Sequence, residues 1–395
     1  MEYYPKRNKL QKKICFVSSS GFGLVQFRSS LIKKLHSDNF VVNAISSDIT
    51  QNQLDQLNDI KVNVNKIESS RTSLSVGSNL LFVRAIHHLL KKIKPDICFT
   101  FFHKPNLFAI PISKLLGIKI RILLVEGLGY VYLSKSLHIR FIVKPIITLL
   151  YCFSFHMASK IIVLNNDDKK FVKKLLFFNH RKVHLINGIG VSLKNYTNTT
   201  NPKKEFDFIF IGRFLEHKGI YEFIDAIKIL KLQGYKFNAI LVGDVDANPS
   251  SVNLTQINNW EKSGLIKNLG FSNSVNELLF RSKVLVLPSH REALPRVCQE
   301  AAVAGVPSIV ANTPGCKDVV IDNKTGFVVP KKDPKKLAMA MEKYLNDKDL
   351  LNDHSVKAAQ NGKKQFDENF INLQFIKIIN DEIIKSKLHS PGTNT

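Results

Sequence analysis

Four side chains in the second half of the chain stand out for the chemistry their types and spacing allow: Arg213, Lys218, Glu292 and Glu300. Gly212-Arg213 follows the apolar run Phe206 to Ile211, and His217-Lys218-Gly219 comes shortly after, ahead of an amphipathic stretch. A guanidinium offers a planar fork of donors and an ammonium a mobile one, so together they could hold one diphosphate beside a helix N-terminus without a metal ion. Downstream, Glu292-Ala293-Leu294-Pro295 opens a second helix that carries Glu300. Proline suits the first helical turn, so backbone amides around Ala293, Leu294 and Arg296 would face a cleft, with Glu292 just before the helix and Glu300 about two turns into it. Carboxylate oxygens accept hydroxyl protons, which makes the vicinal diols of a ribose and a hexose their natural partners.

The first half offers weaker signals. Gly21-Phe22-Gly23 follows the first apolar run, where small residues could let amides approach an anion; a plain tight turn is an equal reading. His103 stands at the end of a strand, where a polar group could meet a sugar. Arg71, Lys104 and Glu126 are candidates for contacts to a second, accepting substrate; the alternative for Arg71 and Glu126 is a loop-stabilising ion pair. Asp244-Val245-Asp246 has the form of a metal-binding pair but precedes the turn residues Ala247-Asn248-Pro249, and a hard cation needs more oxygens than two aspartates supply. No metal and no cofactor are expected.

These positions fall between short β-branched and aromatic runs that alternate with longer amphipathic ones, the pattern of parallel sheets built from βαβ units. Strands are expected at 13–17, 41–45, 96–101, 119–124, 160–164 and 182–186, then at 206–211, 237–242, 266–269, 283–287, 308–310 and 326–329. The periodicity lapses over a polar stretch rich in Asn and Thr. This divides the chain into a first doubly wound α/β domain (1–190), a linker (191–203), a second such domain (204–366) and a final helix (367–386) returning to the first domain. Such sheets bind ligands beyond the carboxyl ends of their strands, which places the four residues above in a cleft between the domains.

Charge separates the halves. The chain of 395 residues carries a formal +25, and residues 1–200 hold 30 Lys or Arg against 10 Asp or Glu. So large an imbalance predicts an anionic partner. Nucleic-acid binders interleave basic and aromatic residues on an exposed platform, which is not found here, so an anionic membrane surface is expected instead. Five cysteines without a Cys-x-x-Cys pair fit neither a disulfide framework nor a zinc site and point to a reducing cytosol. The basic start Lys6 to Lys13 leads into a run too short for a signal peptide. Phe141 to Ala158 is apolar but carries Lys144, Pro145 and His156, so it is read as a membrane-surface segment or a core helix, not a span.

In combination, Gly212-Arg213, Lys218-Gly219 and Glu292 with Glu300 resemble the retaining nucleotide-sugar glycosyltransferases of family 4, which have the two-domain fold called GT-B. Gly305-Val306-Pro307 and Asn323-Lys324-Thr325-Gly326 also fit. Two departures are Ala293, where glycine is usual, and Gly315-Cys316-Lys317-Asp318, where a glycine pair and a glutamate are common. Phe27-Arg28, Ser70 to Leu74, His103 to Asn106 and Val125 to Gly129 are similar to the subgroup that extends diphospho-undecaprenol-linked bacillosamine. The resemblance implies that the arginine and lysine bind the donor diphosphate, the second glutamate the ribose and the first the donor sugar. It implies a metal-independent hexosyltransferase acting on polyprenyl-diphosphate saccharides for capsule, O-antigen or related glycans at the inner face of the plasma membrane. The rivals are a UDP-N-acetylhexosamine 2-epimerase of the same architecture and a non-catalytic basic membrane-binding module.

Overall fold

Parallel strands buried on both faces must be apolar along their whole length, and the first strand of the chain, running Ile14-Cys15-Phe16-Val17, is fully buried. The computed structural model describes residues 11–68, 76–132, 136–197, 202–246, 248 and 250–388. Its first sheet contains β1 (Lys12–Ser18), β2 (Phe40–Ser46), β3 (Asn63–Lys66), β4 (Ile97–Phe101), β5 (Ile120–Val125), β6 (Lys160–Val163) and β7 (Val183–Leu185). All pair in parallel, in the order β3-β2-β1-β4-β5-β6-β7. The crossovers carry α1 (Gly21–Ser37), α2 (Gln51–Asp59), α3 (Val76–Ile93), α4 (His103–Leu115), α5 (Lys144–Met157) and α6 (Asn166–Leu175).

The second sheet is again all parallel, in the order β10-β9-β8-β11-β12-β13. Its strands are β8 (Phe206–Ile211), β9 (Ala239–Val242), β10 (Lys267–Asn268), β11 (Ser282–Leu287), β12 (Ser308–Ala311) and β13 (Gly326–Val329). Between and after them lie α7 (Ile220–Leu232), α8 (Leu254–Lys262), α9 (Val275–Phe280), α10 (Arg296–Val303), α11 (Pro334–Asn346), α12 (Lys348–Gln365) and α13 (Glu368–Leu388). Two doubly wound sheets of this kind are the GT-B fold. β3 was not among the expected strands: as an Asn-Val-Asn-Lys edge with no fully buried residue, it lacks the apolar run that marks the others.

In each sheet the chain winds outward, then returns to lay a later strand beside its first. The return points lie between β1 and β4, and between β8 and β11. At the first, the loops after β1 and β4 lead to Gly21 and His103; at the second, the loops after β8 and β11 hold Gly212 to Gly219 and Pro288 to Pro295. The sharp entry to α7 needs Gly219, whose φ is +80° and whose Cβ, were there one, would stand 2.3 Å from the Pro288 carbonyl oxygen.

The described part of the segment joining the sheets is anchored. Val191 donates its amide to Phe366 O and accepts from Glu368, and Tyr196 is buried. After that crossing α13 lies on the first domain: Asn372 donates to Ser30 Oγ at 2.8 Å, Phe375 packs on Phe99 and Lys160 reaches Glu382 at 3.5 Å. The described cysteines are all free, and four are buried.

Candidate active site

The second domain joins two of its expected residues directly. Lys218 ends a single 3-10 turn (Glu216–Lys218) and its Nζ lies 2.6 Å from Glu292 Oε1. The loops carrying them are tied by His290 N–H to His217 O at 2.8 Å and by Ser289 Oγ to Lys218 O at 3.2 Å. Arg213 donates to Asp246 Oδ2 at 2.7 Å and is about half exposed, which leaves donor positions for a diphosphate. Asp246 Oδ1 accepts from Asn248 N and Asp244 Oδ1 from Val245 N, so both aspartates of the Asp-x-Asp motif shape a turn. Among the described residues no cluster of three or more His, Cys, Asp or Glu is placed to hold a metal ion.

Helix α10 starts one residue later than expected: Pro295 is its N-cap, with ψ 119°, and Arg296 its first residue. Glu300, four residues on, lies about one turn into the helix, where about two were expected. Its carboxylate accepts from Arg296 Nε at 2.8 Å and also bonds Tyr196, and burial pushes its pKa up. Ala293 and Leu294 have no backbone hydrogen-bond partner for their N–H groups among the described residues, so these amides can serve an incoming oxyanion.

Most first-domain candidates are engaged within the fold. Glu126 pairs with the buried Arg28, the ion pair that was its alternative reading, and Arg28 also lies over Phe101 and Phe375 at 5.0 and 5.8 Å. Lys104 is buried, over the Phe82 ring at 5.0 Å and 3.5 Å from Ser78 Oγ. Gly21 donates its amide to Asp48 O, and Gly23 donates to the capping Ser20 Oγ, so neither is spare for a phosphate. Arg71 lies outside the described residues.

His103 opens α4 directly after Phe102, which holds φ +68°, a costly conformation for a non-glycine residue. The imidazole is tucked under Gly129: a Cβ there would stand 2.3 Å from His103 Nε2. Its other nitrogen, Nδ1, is 2.5 Å from the hydroxyl of Tyr151 on α5, and burial lowers its pKa to about 4. The loop over the ring continues across the cleft, because Gly127 lies against Ala293 of the second domain.

Sequence reasoning missed the residues that join the two halves. Asn165 caps α6 and donates to Ala293 O at 2.6 Å. Arg291 pairs with buried Asp168, Lys317 reaches Asp167 at 2.9 Å, and Arg296 bonds Gln26 O and lies over Phe27 at 5.2 Å. Asn165 three residues before Asp168, at the start of a helix after a strand, is a capping signal that the sequence did carry.

Two doubly wound sheets with cationic and carboxylate side chains at the second return point, facing a histidine at the first, define a GT-B glycosyltransferase. The chain belongs to that family. Residues 13–165 match the family described as "Glycosyl transferase 4-like" and residues 194–365 the one described as "Glycosyl transferases group 1". Over 95% of its length it is 30% identical to the whole of the Campylobacter jejuni N,N'-diacetylbacillosaminyl-diphospho-undecaprenol alpha-1,3-N-acetylgalactosaminyltransferase. It is 26% identical, over 70% of its length and 73% of the relative's, to the Escherichia coli UDP-Gal:alpha-D-GlcNAc-diphosphoundecaprenol alpha-1,3-galactosyltransferase. Among solved structures, Anabaena Alr3699/HepE in complex with UDP superposes with a TM-score of 0.73 at 18% identity, covering 93% of this chain and 100% of that one. The chain is thus a glycosyltransferase of hexosyl type.

Proposed function

We propose that the protein moves a hexose or N-acetylhexosamine from a UDP-sugar to a polyprenyl-diphosphate-linked saccharide, with retention at the anomeric carbon and without a metal ion. The observation that carries this reading is the Lys218–Glu292 pair at the carboxyl edge of one sheet, with Arg213 and Glu300 on the loop and helix that follow the same two strands and His103 at the carboxyl edge of the other sheet. The diphosphate would displace the Lys218–Glu292 pairing, freeing the ammonium for phosphate oxygens and the carboxylate for donor-sugar hydroxyls. Glu300 would take the ribose. As the bond from the anomeric carbon to UDP breaks, Arg213, Lys218 and the amides of Ala293 and Leu294 meet the growing negative charge. The acceptor hydroxyl attacks on the same face, and its proton passes to a donor phosphate oxygen.

The acceptor's lipid brings the enzyme to a bilayer. Ile139 to Met157 form one continuous helix, long and apolar enough by length and composition to cross a membrane, with only 17% buried. Tyr151, Ser154 and Phe155 nevertheless pack into the first domain, so we place this helix on the bilayer surface, at the cytoplasmic face where polyprenyl-linked glycans are assembled. The similarity to relatives named for undecaprenyl-diphosphate acceptors supports the same reading.

Incubation with a panel of UDP-sugars and undecaprenyl-diphosphate-linked bacillosamine or N-acetylglucosamine, followed by mass spectrometry, tests it. We expect one sugar added with the donor's anomeric configuration, and unchanged rates in EDTA. Conversion of a UDP-sugar without acceptor would mark an epimerase instead, and rates abolished by EDTA and restored by Mn²⁺ would overturn the metal-free mechanism.

A further inference from the structure

Tyr151 is 1% exposed, packs its ring against Phe155 and, among the described residues, hydrogen-bonds only His103 Nδ1. We propose that Tyr151 is a positioning residue that sets the tautomer of His103, so that the imidazole presents an N–H, not a lone pair, to the cleft.

The argument is an accounting of two protons. Burial keeps the phenol protonated and the imidazole neutral at pH 7, so the pair shares one phenolic and one imidazole proton. If Nδ1 held the imidazole proton and donated to the phenol oxygen, the phenolic proton would have no acceptor at hydrogen-bond distance, since no second partner of Tyr151 is found among the described residues, its neighbours Asp168 and Tyr132 included. With the phenol donating to Nδ1, both needs are met and the imidazole proton sits on Nε2. That nitrogen faces Gly129, on the side where the loop from Gly127 meets Ala293. His103 then acts as a hydrogen-bond donor to a sugar oxygen and cannot serve as a general base through that nitrogen.

Ring orientation follows from the same contact. The two rings meet edge to face, 74° apart, which fixes the imidazole plane as well as its proton. Tyr151 projects from α5, whose outer face carries exposed Ile146, Leu149 and Phe153. The donor in the site is therefore held by the helix that we place on lipid, a role that deepens the transferase reading and rests on it.

Nitrogen-15 NMR of the full chain labelled at histidine, with His103 assigned by the signals lost in His103→Gln, reads the tautomer directly and without substrate. We expect Nε2 protonated and Nδ1 an acceptor, and a mixture of tautomers in Tyr151→Phe, which keeps the ring and removes the hydroxyl. Transfer from UDP-N-acetylgalactosamine to undecaprenyl-diphosphate-linked bacillosamine should slow roughly tenfold in Tyr151→Phe with little change in donor KM. Combined with His103→Ala, the tyrosine change should cost nothing further. A parent His103 protonated at Nδ1, His103 signals unmoved by Tyr151→Phe, or losses that simply add would each overturn the proposal. Because the NMR arm uses no substrate, it is decided apart from the transferase reading, which an inactive parent in the sugar panel would overturn.

Discussion

Glu300 enters ligand binding already paired, to Arg296 and Tyr196, and almost fully buried. Replacing it with Ala should lower UDP affinity ~10- to 100-fold by calorimetry, the equivalent of about 1.5–3 kcal/mol for a hydrogen bond to a charged group. Equal affinity in the two proteins would sink the ribose assignment. A second prediction concerns pH. Burial lowers both His103 and His217 to about 4 from an ordinary 6.5, so between those values the unfolded chain binds protons that the fold refuses. Stability from these groups is full above pH 6.5 and declines as pH falls toward 4. Glu126, Asp168 and Glu300, with pKa values raised by burial, act in the opposite sense. His217→Gln should therefore match the parent at pH 7 and resist urea better than it at pH 5; an unchanged difference between the two pH values would contradict this. The placement of Arg213, Lys218 and Glu292 after strands of the second sheet was legible because strand ends are readable. That Lys104 lies over Phe82, and which residue Glu126 pairs with, could not be read from a single sequence.

Helix α5 shows what periodicity can and cannot say. Ile142, Ile146, Leu149 and Phe153 recur at helical spacing and all are more than half exposed, while Tyr151, Ser154 and Phe155 fill the inward face. The sequence showed an apolar segment. It could not show which side the sheet would claim, since both faces are apolar; the packing buries one face and leaves the other exposed. Arg140 and Lys144 edge a shallow groove of about 560 Å³ floored by Phe141, Pro145 and Leu149, so cations and exposed apolar side chains lie together. Coulombic attraction, worth about 1 kcal/mol per near-surface cation, and shallow apolar insertion then act on one surface. The chain should float with vesicles containing anionic lipid, less so at high salt, and Leu149→Glu with Phe153→Glu should abolish flotation without unfolding a protein that leaves these side chains in water. Flotation unaffected by the double change, or absent with every vesicle, would remove α5 from the membrane. The same limit explains β3, whose polar edge carries no pattern to read, whereas the twelve other strands were found within about two residues of their ends.

At the scale of the whole molecule, transfer as we propose it needs the two halves in register, and several of the contacts that join them are polar. Arg291 crosses from the second domain to Asp168, whose carboxylate is fully buried and also bonded by Asn165; Asn165 in turn holds Ala293 O beside the donor amides. Sequence reading gave no sign of this seam, because an ion pair between residues so far apart in the chain leaves no local pattern. Its geometry separates two roles. If the pair serves stability alone, removing one partner strands a buried charge at a cost of about 3–5 kcal/mol, and removing both largely restores the loss. If it also aligns the domains, the double change recovers stability but not rate. We expect the second outcome: Arg291→Ala should melt well below the parent, and Arg291→Ala with Asp168→Ala should regain most of that loss. The doubly changed protein should still bind UDP within about threefold, since Arg213, Lys218 and Glu300 belong to one domain, while sugar transfer stays at least tenfold down. Thermal melts, UDP calorimetry and transfer rates on the same three proteins decide it. Transfer restored along with stability would reduce the pair to packing, and UDP affinity lost in step with transfer would place the damage inside the donor site and not at the seam.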